Sequence, residues 1–117
     1  MIHKTAIVDI KAKISDNVKI GPYCFIGPEV EIGSDSVLHS HVNIVGNTKI
    51  GKNNQIYPFS SIGTPPQDLK YKGEKNSLVI GNNNKFREYV NINPGTEQGG
   101  GVTTVGDNNL FMVYCHV

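Results

Sequence analysis

The chain has 117 residues, with eleven Lys or Arg against ten Asp or Glu and a formal net charge of +1 at pH 7. This length allows one domain at most, and the balanced, scattered charge excludes the electrostatic pattern of a protein that binds nucleic acid or an anionic membrane surface. Apolar runs are only a few residues long and the first residues carry no export signal, so we expect no membrane insertion, a cytoplasmic location, and small molecules or proteins as partners.

From the first residues onward, a large aliphatic side chain recurs at every sixth position. The series is unbroken over eleven members: Ile2, Val8, Ile14, Ile20, Ile26, Ile32, Leu38, Ile44, Ile50, Ile56 and Ile62. A period of six fits neither the helix nor the free strand, but it is typical of a hexapeptide solenoid in which each repeat forms one side of a coil. The sequence therefore predicts an all-β protein, a parallel β-helix with about 18 residues in each coil.

The residues around each aliphatic predict how a repeat is built. The residue two positions earlier should share the inward face, because strand side chains alternate, and Cys24 and Cys115 at such positions are expected to be reduced core cysteines. A corner is expected after each aliphatic, where glycine or asparagine can take a positive φ, as at Gly33 and Gly51, and the rest of the corners are supplied by Asp16-Asn17, Asn53-Asn54, Asn82-Asn83-Asn84 and Asn108-Asn109.

The repeat is interrupted twice, and each interruption predicts a projecting loop. The first loop covers residues of about 64–77 and the second residues of about 93–102, with the period running again between them and after them, through to Val117. Loops on a strict solenoid commonly carry the binding site. Because no capping repeat follows Val117, we expect the chain to be a truncated domain.

Several motifs resemble the UDP-N-acetylglucosamine O-acyltransferases that begin lipid A synthesis in Gram-negative bacteria, and the resemblance extends over the whole chain. The most specific are Ser61-Ile62-Gly63, Pro66-Gln67-Asp68-Leu69-Lys70-Tyr71, Ile80-Gly81 with Arg87-Glu88, Gly95-Thr96 with Gln98-Gly99-Gly100-Gly101, and Val105-Gly106-Asp107-Asn108-Asn109-Leu110.

The resemblance implies a left-handed β-helix and a homotrimer with active sites between subunits. It also implies transfer of a 3-hydroxyacyl chain from acyl carrier protein to the 3-position of the sugar in a UDP-linked glucosamine, without a metal or another cofactor. The C-terminal coils and the helical domain of the family lie beyond this chain.

The resemblance assigns roles to four residues. Gln67, Asp68 and Lys70 match the loop that contacts the substrate. His116 matches the first histidine of a His-x-x-His motif, and the general base would be the second histidine, three residues later at position 119. The chain thus keeps a supporting histidine without the base, and we expect the 117-residue polypeptide alone to be inactive. The family commonly has a histidine and a basic residue where this chain has Asn93-Pro94. The choice of the acceptor sugar, N-acetyl or diamino, therefore stays open.

Other interpretations remain. The chain could be another hexapeptide acyltransferase or acetyltransferase, or a non-catalytic β-helix scaffold. His39 and His41 flank Ser40 on one face but lack a third ligand, so no metal site is predicted. The run Gly99-Gly100-Gly101 lacks the Lys-Ser/Thr of a phosphate-binding loop and is expected to be a flexible loop at the subunit interface.

Overall fold

The computed structural model describes residues 1–64, 77–93 and 102–116. These residues form short parallel strands and no helix, and none of their segments is a helix able to cross a membrane. The strands are β1 (Ile7–Val8), β2 (Lys13–Ile14), β3 (Lys19–Ile20), β4 (Phe25–Ile26), β5 (Val30–Ile32), β6 (Val37–Leu38), β7 (Asn43–Ile44), β8 (Asn47–Ile50), β9 (Gln55–Ile56), β10 (Ser61–Ile62), β11 (Ser77–Ile80), β12 (Lys85–Phe86), β13 (Asn91–Ile92), β14 (Val102–Val105) and β15 (Leu110–Phe111).

The strands stack into three parallel sheets, one for each side of the coil. Sheet A has the order β3-β6-β9-β12-β15, sheet B the order β1-β4-β7-β10-β13, and sheet C the order β2-β5-β8-β11-β14. Every third strand pairs in register, so that Ile26 lies beside Ile44 and Ile44 beside Ile62. This topology confirms the predicted parallel β-helix.

The core lies along the axis of the coil and consists of the periodic side chains. From Ile20 to Ile62 all of them are buried, and the period continues in the buried Ile80, Phe86, Ile92 and Val105. The first three members are less covered, with Ile2 48% exposed, because the first coil packs against a neighbour on one side only. The residues predicted to share the inward face are buried or half-buried, as expected from strand alternation.

The prediction for the corners was wrong in one respect. Apart from Gly63, the glycines that directly follow a periodic aliphatic do not have a positive φ. The left-handed residue comes three positions after the aliphatic, as in the predicted corner asparagines Asn17 and Asn53 and in Asp35. Gly33 is required for close approach, since a Cβ there would lie 2.5 Å from the carbonyl group of Gly51 in the next coil.

The two cysteines share one inward column, with Val42, Ser60 and Val90 between them. Cys24 is buried, whereas Cys115 is half-buried and packs against the edge of the core. Four strand spacings separate them by about 19 Å, far beyond the reach of a disulfide. Both are free thiols, as predicted.

Candidate functional site

The outward face of sheet B carries a column of polar side chains that we call the polar track. It consists of Asn43, Ser61, Asn91 and His116, which the parallel register places side by side in successive coils. The first three are half-buried and His116 is exposed. The same column begins with the exposed apolar residues Ile7 and Phe25, so the outward face changes from apolar to polar along the axis.

The polar track lies next to the residues that precede the two interruptions of the repeat. Thr64 and Asn93 are the last described residues before residues 65–76 and 94–101, and both follow a sheet B strand. The hydroxyl of Thr64 lies 3.1 Å from Oδ1 of Asn93 and 3.4 Å from Oδ1 of Asn91. A hydroxyl carries one hydrogen, so it donates to one of these oxygens at a time. This contact joins the origins of the two interruptions to each other and to the polar track.

A glycine with a positive φ lies just before Thr64. Gly63 has a φ of +84°, and a Cβ at this position would collide with the carbonyl oxygen of Val45 and the hydroxyl of Thr48. That hydroxyl donates to the same Val45 oxygen at 2.8 Å. Only glycine fits this backbone conformation in this space, so no residue with a Cβ can replace it at the end of strand β10.

His116 points away from the core, as the alternation predicted. Its neighbour Cys115 faces inward and accepts a hydrogen bond on its backbone oxygen from the N–H of Asn91, at 2.9 Å. The imidazole therefore stands at the end of the polar track, next to Asn91, where it is accessible to a ligand or a neighbouring side chain.

Three of the predicted site residues lie outside the described residues. These are Gln67, Asp68 and Lys70, and the Gly99-Gly100-Gly101 run is outside as well. Their roles stay predictions. The described flanking strands β11 and β14 begin at Ser77 and Val102 and pair with each other in sheet C. Both interruptions therefore join sheet B to sheet C, one coil apart.

Sequence reasoning missed Ser61, Asn91 and Thr64 as site residues. The sequence did hold a signal, in the residue that directly precedes each aliphatic of sheet B. This preceding residue is apolar in the first two coils and polar in the later ones. The two interruptions shift this position by different amounts, which conceals the column in the linear sequence.

His39 and His41 do not share one face, contrary to the expectation. His39 stacks on Tyr57 with ring centroids 4.5 Å apart, whereas His41 stacks between Tyr23 and Phe59 at the next corner of the coil. Within residues 1–64, 77–93 and 102–116, no group of three His, Cys, Asp or Glu side chains is arranged to hold a metal ion.

Comparisons with known proteins identify relatives of this chain. The bacterial transferase hexapeptide family (six repeats) matches residues 11–46. The acyl-[acyl-carrier-protein]–UDP-N-acetylglucosamine O-acyltransferase of Rickettsia typhi is 56% identical over 116 residues, which are 99% of this chain and 44% of the relative. The enzyme of the same name from Saccharophagus degradans is also 56% identical over 99% of this chain and 45% of its own length.

Solved structures agree with these relatives. The UDP-N-acetylglucosamine O-acyltransferase of Moraxella catarrhalis is 52% identical and superimposes with a TM-score of 0.97, over 99% of this chain and 45% of that structure. The chain thus spans less than half the length of the proteins it matches. The fold shared with these structures is the left-handed parallel β-helix. Nearly the whole chain is thus similar to a part of the hexapeptide-repeat UDP-N-acetylglucosamine O-acyltransferases.

Proposed function

We propose that this chain is part of an enzyme that transfers a 3-hydroxyacyl chain from acyl carrier protein to the 3-position of the sugar of UDP-N-acetylglucosamine, the first step of lipid A synthesis. The observation that carries the proposal is the 56% identity over 116 residues to O-acyltransferases named for this donor and acceptor. The enzyme acts in the cytoplasm as a homotrimer, with acyl carrier protein and the nucleotide sugar as its partners and no cofactor.

In this reaction the 3-hydroxyl of the sugar loses its proton to a general base while its oxygen attacks the thioester carbonyl. The carrier thiol then leaves and receives a proton from the protonated base. The base thus takes up one proton and returns one, and the acyl group moves from sulfur to oxygen. The base is assigned to position 119, three residues after His116. His116 supports it from the end of the polar track, where its imidazole is exposed to solvent.

Residues 65–76 supply contacts to the substrate. Lys70 neutralises a phosphate of the nucleotide, and Asp68 accepts a hydrogen bond from a hydroxyl, with Gln67 beside them. What supports this assignment is the position of the flanking residue Thr64, which adjoins the polar track and hydrogen-bonds Asn93 at the origin of the second interruption.

A direct assay of acyl transfer tests the proposal. The purified 117-residue chain and a form that continues past position 119 are each incubated with 3-hydroxyacyl carrier protein and UDP-N-acetylglucosamine. The longer form should transfer the acyl chain and the shorter should not. Transfer by the short chain would contradict the assignment of the general base to position 119. A longer form that uses only acetyl-coenzyme A would instead favour another hexapeptide acetyltransferase.

The role of Lys70 is tested in the longer form with Lys70→Ala. Loss of one charge-assisted contact should raise the Kd for UDP-N-acetylglucosamine about tenfold. Lys49→Ala is the matched control, because Lys49 is exposed on sheet C and pairs with the surface residue Glu31, at 3.8 Å. Equal Kd values for the two variants would contradict the assignment of Lys70.

A further inference from the structure

A column of residues runs along the coil where each side formed by sheet A ends. Each member donates its backbone N–H to the carbonyl that precedes the next member, and in axial order they are His3, Gly21, His39, Tyr57 and Arg87. The imidazole of His39 stacks on Tyr57 with ring centroids 4.5 Å apart, and the guanidinium of Arg87 lies 4.3 Å from the centroid of the Tyr57 ring. Three successive coils therefore form a continuous stack of flat groups.

The stack is interrupted at Gly21. This residue adjoins His39 on the side opposite Tyr57, so no side chain of the column covers the second face of the imidazole. His3 stands beyond the gap, two strand spacings or about 9.5 Å from His39. A ring placed halfway would lie about 4.8 Å from each histidine, a distance at which aromatic rings stack. The gap thus has the depth of one flat ring.

The chain cannot fill this gap with a side chain of its own. A Cβ at Gly21 would lie 2.6 Å from the backbone oxygen of His39, closer than real Cβ atoms come to a carbonyl. Close approach of the two coils therefore requires glycine at this position. The flat group that would complete the stack has to come from outside the chain.

The gap opens into a pocket of about 400 Å³. His3, Gly21 and His39 line it, together with the buried aliphatic side chains of Ile20 and Leu38. This volume lies within the range of small-molecule sites, which combine an apolar lining with a few polar groups. Nε2 of His39 is buried and has no hydrogen-bond partner among the described residues, so the imidazole offers a ring face to the pocket rather than this edge.

One edge of the pocket is positively charged. Lys19 lines it, is exposed, and precedes Gly21 by two residues, or about 7 Å along the strand. The described residues that line the pocket include no Asp or Glu, and Lys19 forms no ion pair with any described carboxylate. An ammonium group that is not neutralised within the described structure favours an anionic group on the ligand.

We propose that this pocket binds a nucleoside monophosphate. The base stacks in the gap between His3 and His39, and the phosphate binds to the ammonium group of Lys19. Stacking on an imidazole suits any base, because every base has a flat face. The site is separate from the polar track: four strand spacings, about 19 Å along the axis, lie between the coil of Gly21 and that of His116.

The four histidines of the chain allow a test that locates the ligand. AMP is titrated into the 117-residue chain at constant pH while the imidazole signals are followed by NMR. The ring current of a stacked adenine should shift the signals of His3 and His39. His41, already stacked between Tyr23 and Phe59, and His116, on the polar track, should not shift.

The two halves of the ligand provide the first comparison. Adenosine keeps the base without the phosphate, and ribose 5-phosphate keeps the phosphate without the base. AMP should bind with a Kd at least about tenfold below that of either part, measured by isothermal titration calorimetry. Equal Kd values for AMP and ribose 5-phosphate would overturn the stacking of the base.

Two substitutions provide the second comparison. His39→Leu keeps an apolar side chain but removes the flat face, and Lys19→Gln removes the charge; each should raise the Kd for AMP about tenfold. Lys85→Gln is the matched control, because Lys85 is exposed in the same outward column of sheet A, three coils from Lys19. Far-UV circular dichroism verifies that the variants fold.

The expected result is a pair of shifted signals, from His3 and His39, and weaker binding in both pocket variants but not in Lys85→Gln. Absence of these shifts at about 10 mM AMP would overturn the proposal. Shifts confined to His116 would overturn it as well, since the nucleotide would then bind at the polar track. The titration involves no acyl transfer, so a failure of the proposed function would leave its result unchanged.

Discussion

The side-chain oxygen of Asn54 accepts a hydrogen bond from the backbone N–H of Asn84, at 2.9 Å, inside the coil. The amide nitrogen of Asn54 donates to the backbone oxygen of Gly81 at 2.9 Å, so both ends of this buried side chain are satisfied. The next coil repeats the arrangement: Asn84 donates to the oxygen of Gly106 and accepts from the N–H of Asn109, both at 2.8 Å. Buried amides thus connect successive coils at one corner.

This relationship predicts a large cost for Asn84→Ala. The substitution leaves the Gly106 oxygen and the Asn109 N–H without their partner in the coil, and each unsatisfied group costs about 1–3 kcal/mol. We expect the free energy of unfolding to fall by about 2–4 kcal/mol in urea titration. Lys85→Ala, at the exposed residue directly after Asn84, should change it by less than about 0.5 kcal/mol. Equal effects of the two substitutions would show that the buried amide hydrogen bonds of Asn84 do not contribute to stability.

Two glycines with the same sequence context should respond in opposite ways to alanine. Gly33 and Gly27 both follow a buried isoleucine, but a Cβ on Gly33 would lie 2.5 Å from the Gly51 carbonyl, whereas one on Gly27 would lie 3.5 Å from the nearest atom, in Val45. Gly33→Ala should therefore destabilise the chain by about 1–3 kcal/mol. Gly27→Ala should be neutral or stabilising by up to about 1 kcal/mol.

Thermal and urea unfolding of the two variants provide the measurement. If both substitutions change the free energy of unfolding by the same amount and in the same direction, the adjacent coil moves to accommodate a methyl group at Gly33. That outcome would contradict close approach as the reason for glycine at this position.

The core was predictable because its period is visible in the sequence without knowledge of any contact. Ile44 and Ile62 are buried for the same reason that they recur at multiples of six: each fills the axis of the coil. The role of Gly33 was not predictable in this way, because it depends on how closely the next coil approaches. The sequence indicated an unusual position but not whether conformation or space required it.

The polar track and the stacked rings of Tyr23, His41, Phe59, Tyr89 and Tyr114 escaped prediction for another reason. Tyr23, His41 and Phe59 are spaced by 18 residues, but the two interruptions lengthen the following steps, to Tyr89 and then Tyr114. Only the strand register aligns them. Columns on the outer surface also lack the strong hydrophobic constraint that marks the core, so their composition varies along the axis.

The left-handed corner between sheets C and A predicts a difference between alanine and glycine at Asn17. This exposed residue has a φ of 62°, which costs an L-residue with a Cβ about 1–2 kcal/mol. Asn17→Ala should lower the free energy of unfolding by about 1 kcal/mol, and Asn17→Gly should recover most of that loss. If urea titration shows alanine to be no worse than glycine, the corner does not hold this conformation in solution.

The thiol of Cys24 predicts a loss of stability in alkaline solution. Burial raises the pKa of Cys24 above its ordinary value of 9.0, and backbone hydrogen bonds offset this only in part. Well below pH 9.0 the thiol is neutral in both folded and unfolded chains, so its full contribution is present. As the pH rises from there towards the folded pKa, only the unfolded chain loses the proton. The free energy of unfolding then decreases, by at most about 1.4 kcal/mol per pH unit.

Comparison with Cys24→Ala isolates this effect, since both proteins keep Cys115 and every tyrosine. The variant loses the hydrogen bond from Sγ to the backbone oxygen of His39, at 2.9 Å, and so should be less stable at neutral pH. Its deficit should shrink as the pH rises from about 8 to 10, because the variant has no thiol to ionise on unfolding. Urea titrations at a series of pH values measure the difference. If the free energies of unfolding of the two proteins change with pH in parallel, the thiol of Cys24 ionises as readily in the coil as in the unfolded chain.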